Sequence, residues 1–216
     1  MIVEDHELLA DTVAIALQRF GYDVDRPVEL AQQGVLECAR EFAPHIVLLG
    51  LHLGERKPSI PLIEPLRQLS ATVLMLTGER DLGVLAECVE AGAVGIVHKS
   101  VTLEELVGSI RQVERTGTAM TRHERDTLLQ HLRQRRLDDD ERTAPFDRLS
   151  TREREVLRAL TSGMTAASIA ERDCVSLATV RSQIRSVLAK LGVNSQLAAV
   201  ALAASSNWFP GALDGS

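Results

Sequence analysis

Four short apolar runs recur through the first hundred residues and fix what the front of this chain can become. They are Met1-Ile2-Val3 before Glu4-Asp5, Ile46-Val47-Leu48-Leu49 before Gly50, Val73-Leu74-Met75-Leu76 before Thr77, and Gly95-Ile96-Val97-His98 before Lys99. Short runs without polar alternation are the pattern of strands buried on both faces. Helix-like stretches lie between them. Glu7 to Phe20 places Leu8, Leu9, Val13, Ala16 and Leu17 on one face and stops at Gly21, and Leu30 to Phe42 includes Leu36 and Cys38 among its apolar positions. Asp81 to Glu90 closes at Ala91-Gly92. Thr102 is placed to cap a helix with Glu104 and Glu105 in its first turn, ended by Gly117. Strands alternating with helices predict an α/β parallel sheet covered on both faces.

The stretch after Gly50 breaks this rhythm. Gly54, Pro58 and the charged Glu55-Arg56-Lys57 cluster precede Pro61 and Pro65. Proline removes a helix donor and clashes with the preceding turn, so the third helix is expected to be short, late or distorted. Residues 118–147 read as a linker. Arg122 to Leu137 is a candidate helix with Leu128, Leu129, Leu132 and Leu137 on its stripe, and Asp138-Asp139-Asp140-Glu141 is expected to be a solvated connector.

From residue 148 the period changes to helical throughout. Leu149-Ser150-Thr151-Arg152-Glu153 opens a helix ended by Gly163, and Thr165 to Arg172 makes a second. Ser176 caps a third running to Leu191 and ended by Gly192, and Ser195 to Ala204 makes a fourth. The domain reading is therefore 1–117, a linker 118–147, an all-α four-helix domain 148–205, and a tail 206–216 in which Trp208-Phe209 is placed to tuck back onto the helices. In the third helix Val180, Ile184, Val187, Leu188 and Leu191 share one face, while Arg181, Ser182 and Arg185 lie on the other. That opposite face suits phosphates and base edges in a major groove, but a solvated surface explains the same charges.

Charge follows the same division. Residues 1–145 hold 16 Lys and Arg against 24 Asp and Glu, leaving −8, and residues 146–216 hold 8 against 6, leaving +2, which together give the net −6. An acidic front and a mildly basic back suit a regulator joined to a nucleic-acid binder. With no apolar run of membrane length and no basic, apolar leader, a cytoplasmic protein is expected. Cys38, Cys88 and Cys174 have neither metal-site nor disulfide spacing and are expected to be buried thiols.

At the strand ends, Val3-Glu4-Asp5-His6, Leu76-Thr77 and His98-Lys99-Ser100, with Ala91-Gly92-Ala93 before the last strand, resemble the receiver domain of bacterial response regulators, a flavodoxin-like fold, over residues 1–117. The resemblance implies an α/β doubly wound parallel sheet, five-stranded in the order 2-1-3-4-5, and phosphoryl transfer from a histidine kinase to an aspartate beside magnesium. By position Glu4 and Asp5 match the metal-binding acids, Thr77 the switch hydroxyl and Lys99 the phosphate-pairing lysine. Gly50 stands where the acceptor aspartate belongs, Gly54 where a proline is usual, and Ile96 where an aromatic residue is common. The pocket therefore reads as degenerate, with no metal site and no cofactor. Lys99 is expected to pair with Asp5, and His6 and His98 are read as scaffold. Because ligands of such sheets bind at the switch point, the glycine is read as opening space there for a small molecule or a partner loop.

The helical segment resembles the LuxR-type helix-turn-helix of the NarL/FixJ response regulators over residues 148–204. The matches are Leu149-Ser150-x-Arg152-Glu153-x-Glu155-Val156-Leu157, Gly163-Met164-Thr165, Ile169-Ala170, Thr179-Val180-Arg181 and Lys190-Leu191-Gly192-Val193. The resemblance implies double-stranded DNA as partner, Arg181, Ser182 and Arg185 as base-reading residues, Thr179 and Lys190 as backbone contacts, and a homodimer through the last helix. Ala166-Ala167 replaces a common Asn-Lys, and Gln183 a common His. The leading expectation is a DNA-binding transcription regulator with an atypical receiver acting without aspartate phosphorylation. A heterodimer partner that tunes another regulator is the alternative. No nucleophile–base pair or metal cluster supports an enzyme.

Overall fold

The computed structural model describes residues 1–54, 57–206 and 208 and divides the chain into two compact units, Met1–Gln134 and residue 135 onward. In the first unit, β1 (Ile2–Val3), β2 (Ile46–Gly50), β5 (Thr72–Thr77) and β6 (Gly95–His98) form one sheet in the order β1-β2-β5-β6, parallel at every pairing. This corrects the expected five strands to four. On the outer side of β1, Ile2 N–H donates to the Asp25 carbonyl at 3.0 Å, and the described residues there form no ladder. Pro27 has no N–H to contribute, and Asp23, Asp25 and Arg26 interrupt the apolar run that a doubly covered strand requires.

Alternate residues of the strands feed two cores. Val47, Leu49, Val73 and Met75 pack with Val35 and Ala39 of α2 (Gln32–Phe42), Leu62, Ile63 and Leu66 of α3 (Ile60–Gln68) and Cys88 of α4 (Leu82–Glu90). Leu48, Leu74, Leu76 and Val97 pack with Val13 and Leu17 of α1 (Glu7–Arg19) and Leu106, Ile110 and Val113 of α5 (Leu103–Thr116) on the other face. The period-two alternation makes the sheet doubly wound. In α1 the inward stripe is Ala10-Val13-Leu17, so Leu8, expected inside, is exposed.

The irregular stretch after Gly50 contains a short antiparallel pair, β3 (His52–Leu53) with β4 (Lys57–Pro58). Glu55 and Arg56 lie outside the described residues. Helix α3 has nine residues; Pro61 sits in its first turn, where no donor is needed, and Pro65 lies inside it. Asp81 caps α4 by accepting from Gly83 and Val84 N–H, and Thr102 with Glu105 makes a reciprocal capping box on α5.

Helix α6 (Arg122–Asp147) runs for 26 residues, straight through the acidic run expected to be a connector. Basic residues one turn away offset that charge, as Arg142 does with Asp139 at 3.5 Å. Leu132 is buried and Leu137 is exposed.

The second unit holds α7 (Thr151–Thr161), α8 (Ala166–Arg172), α9 (Leu177–Leu191) and α10 (Gln196–Ser205). Leu157, Val187, Leu191, Ala199 and Phe146 make one core cluster, and Val156, Ile169, Val180 and Ile184 another. Trp208 stacks on Phe146 with centroids 4.5 Å apart, as expected of a tail folding back, while Phe209 lies outside the described residues. Of the three cysteines only Cys88 is fully buried; Cys38 is half-buried, and Cys174 is exposed in the α8–α9 turn at φ +53°, against expectation. No single described helix is long and apolar enough to cross a membrane.

Candidate functional site

The carboxyl ends of β1, β2, β5 and β6 bring Glu4, Asp5, Gly50, Thr77 and Lys99 together as their spacing predicts. A cavity of about 640 Å³ opens there, lined by Asp5, His6, Leu51, His52, Thr77, Gly78, Glu79 and Lys99. Lys99 Nζ donates to Glu4 Oε1 at 2.5 Å, so its partner is Glu4 and not Asp5. The extra methylene of glutamate gives this reach, whereas Asp5 turns to His6, with Oδ1 2.9 Å from Nδ1. His6 also approaches Glu4, through Nδ1 at 2.8 Å and its backbone N–H at 3.2 Å, and stands 3.4 Å from Lys99 Nζ. Thr77 is buried, and its Oγ1 accepts from Glu79 N–H at 2.9 Å. His98 bonds to Ser100 Oγ and the Gly78 carbonyl, the scaffold role its position suggests.

Gly50 leaves less room than its sequence position implies. A Cβ at this residue would stand 2.5 Å from Glu4 Oε2, so the glycine is a close approach filled by a neighbouring side chain and not an opening. Its carbonyl accepts from Ser59 Oγ at 2.5 Å. Ser59, Glu4 as the lysine's partner, and His6 in the cluster are contacts that strand-end spacing alone does not reveal.

The magnesium of receiver chemistry does not fit this donor set. A hard cation needs several oxygen ligands. Glu4 Oε1 is held by an ammonium 2.5 Å away, the third carboxylate position is a glycine, and the third side chain grouped with Glu4 and Asp5 offers a ring nitrogen, His6.

In the second unit, Ser176 caps α9 by accepting from Thr179 N–H at 3.0 Å, and the two hydroxyls lie 2.8 Å apart. Arg181, Ser182 and Arg185 are exposed on one face of α9, opposite the buried Val180-Ile184-Val187 stripe. Neither arginine has a hydrogen-bond or ion-pair partner among the described residues. Nearby arginines are spent internally, Arg152 and Arg172 both binding Asp173 at 2.7 Å. Lys190 is spent too. Its Nζ lies 2.6 Å from Glu153 Oε2, while Ser186 donates to Oε1 at 2.6 Å and Ser150 N–H to Oε2 at 2.7 Å. Burial alone would raise the Glu153 carboxyl, but the hydrogen bonds from Lys190, Ser186 and Ser150 outweigh it and hold it at about 2. This knot welds the first turn of α7 to the end of α9, and no motif spacing announces it.

Residues 1–111 match the family model of the response regulator receiver domain, and residues 147–203 that of the bacterial regulatory proteins of the luxR family. Among curated proteins, the virulence factors putative positive transcription regulator BvgA of Bordetella pertussis is 29% identical, covering 96% of this chain and 97% of its own. The transcriptional regulatory protein MctR of Rhizobium johnstonii is 27% identical, covering 90% and 87%. A solved structure of RcsB from Salmonella typhimurium is 21% identical, covers 94% of this chain and 96% of its own, and has a TM-score of 0.49.

A doubly wound sheet with acids, a hydroxyl and a lysine at its carboxyl ends, followed by a capped helix-turn-helix, defines a two-part regulator. The chain belongs to the response regulators, as a receiver joined to a LuxR-type helix-turn-helix, and is a DNA-binding transcription regulator of that type.

Proposed function

We propose that this protein binds specific double-stranded DNA sequences through α9 and does so without phosphorylation of an aspartate. The observation that carries the first half is the exposed, unpartnered set Arg181, Ser182 and Arg185 on a helix whose opposite face is fixed in the core. Two guanidinium groups one turn apart suit the oxygen and nitrogen acceptors of guanine in a major groove. Thr179 stands at the amino end of the same helix, where a backbone phosphate is favoured. Lys190 is held by Glu153, so its role in this reading is structural first, with its remaining N–H donors left for a phosphate. The second half is supported by Gly50, which has no carboxylate to accept a phosphoryl group.

The functional division in this reading is a receiver over 1–117, a connector over 118–147, a DNA-binding domain over 148–205 and a tail over 206–216. The protein acts as a cytoplasmic homodimer and not as an enzyme. Leu197, the exposed large apolar residue of the Ala- and Leu-rich helix α10, is the natural dimer contact. A second reading, favoured by the crevice of about 640 Å³, gives the receiver a small-molecule or partner-loop input.

Gel-shift and footprinting on selected genomic fragments test the DNA reading, and the absence of a sequence-specific shift at low salt overturns it. Incubation with acetyl phosphate and magnesium followed by intact mass tests the other half. The expected mass is unchanged, and a phosphoryl adduct on the receiver overturns it. A thermal-shift screen of metabolites that is uniformly flat removes the small-molecule input.

A further inference from the structure

Position 50 lacks its carboxylate, and the inference here rests on the reading that no phosphoryl group is accepted there; it concerns what occupies the acceptor's place. A Cβ on Gly50 would meet Glu4 Oε2 at 2.5 Å, Glu4 Cδ at 3.3 Å and the Val3 carbonyl oxygen at 3.3 Å. Such a 2.5 Å contact is far inside van der Waals separation, so the Glu4 carboxylate fills the volume that any side chain at 50 needs. The Glu4 side chain is fully buried, although it belongs to the strand next to β2. Its Oε1 takes the Lys99 ammonium, and its Oε2, turned toward Gly50, has no hydrogen-bond partner among the described residues.

A buried carboxylate is tolerated only when it is paired. Here the pairing comes from Lys99, assisted by the backbone N–H of His6 at 3.2 Å. The other group expected to sense a phosphoryl oxygen, the Thr77 hydroxyl, accepts from the Glu79 N–H. The lysine thus already has its partner from the chain itself, while the threonine oxygen is held as an acceptor.

We propose that Glu4 replaces the acceptor carboxylate: delivered from β1, it occupies the volume left by the missing side chain at Gly50 and holds Lys99 there as a built-in ion pair. Glu4 is then a positioning residue for Lys99, and Glu4 and Gly50 depend on each other. A side chain at 50 has to move the Glu4 carboxylate aside, because Glu4 lies across the glycine. Glu4 is kept inward because nothing at 50 expels it. The smallest addition at 50, a methyl group, has to displace the carboxylate, because the backbone oxygen of Val3 on the neighbouring strand has no freedom to move away.

The test uses the full chain, without phosphodonor, as four proteins: the natural sequence, Gly50→Ala, Glu4→Ala and the double variant. Competitive acetylation of Lys99, read by mass spectrometry, reports whether its ammonium is held. Gly50→Ala is expected to raise the Lys99 labelling rate several-fold and to lower the receiver's melting transition by about 2–4 °C. In the Glu4→Ala background the same methyl is expected to leave the labelling rate within about twofold and the transition no lower, because the conflict is gone. Unchanged Lys99 labelling in Gly50→Ala, or additive effects of the two substitutions, overturns the proposal. If Gly50→Ala does not fold, recovery of a cooperative transition in the double variant supports the proposal, and an equally unfolded double variant overturns it. A phosphoryl adduct in the acetyl phosphate experiment would sink the phosphorylation-independent reading without touching this cycle, so the two failures are distinguishable.

Discussion

The two units treat their charges in opposite ways. At the carboxyl end of the sheet, Lys99 meets Glu4, Thr77 meets Glu79 and His6 meets both acids. On α9, Arg181 and Arg185 meet nothing among the described residues, although Arg152 and Arg172 of the same unit are locked to Asp173. A chain able to neutralise Arg152 and Arg172 leaves these two open on a rigid, well-packed helix. The difference separates a helix face whose arginines have no partner among the described residues from a strand-end cluster whose charges pair with one another.

The largest effect is expected at the open face. Replacing Arg181 and Arg185 together with alanine should cost about 2–6 kcal/mol of specific DNA binding, since each well-placed pairing with a base is worth roughly 1–3 kcal/mol. The melting temperature should stay unchanged because neither side chain supports the core. Fluorescence anisotropy against cognate and scrambled duplexes separates specific from non-specific loss. Equal weakening on both duplexes would reduce these residues to phosphate contacts.

The next effect sharpens the contrast from within the helical unit, where Glu153 is paired internally as Glu4 is in the receiver. Its carboxyl is held at about 2 against an ordinary value of 4.5. A depressed folded-state value stabilises the protein above the unfolded one, so this contribution is complete above about pH 4.5 and fades as pH falls toward 2. Discounted for the partial exposure of Lys190, it is about 2 kcal/mol near neutrality. Glu153→Gln should lower the helical unit's melting temperature at pH 7, with the difference from the natural protein shrinking as pH drops below 4. A difference constant over pH 2–7 would mean that the ion pair contributes nothing.

The contrast also explains what the sequence made legible. Strand-end residues were readable because parallel strands are continuous apolar runs, so their last residues fall together whatever the loops do. The exposed face of α9 was readable because Val180, Ile184 and Val187 fix which way the helix turns. The partners of buried charges were not readable. Whether Lys99 chooses Glu4 or Asp5 depends on one methylene of reach, and whether Gly50 is empty depends on how a neighbouring strand's side chain folds over it. The fourfold sheet was missed for a related reason: residues 22–28 have enough apolar character to pack, as Tyr22 and Val24 do, but Pro27 and the acids deny them a ladder. Helix α6 was cut short in the sequence reading because three aspartates resemble a solvated linker, although arginines at helical spacing balance them.

A smaller effect tests how far the DNA-facing surface has been trimmed. Ala167 is exposed in the first turn of α8, where related helix-turn-helix sequences often carry lysine. Ala167→Lys should add one phosphate contact, steepening the dependence of log affinity on log salt by about 0.9. Affinity at low salt should rise several-fold on cognate and scrambled DNA alike, because phosphates carry no base identity. A cation at a helix amino end opposes the macrodipole, so stability should fall by only about 0.3–1 kcal/mol. Raised affinity with an unchanged salt slope would mean that the lysine acts through the protein and not on phosphate. An unchanged affinity would place α8 away from the duplex and leave α9 to bind it alone. Either result redraws the open surface that sets this unit apart from the internally paired cluster beside Gly50.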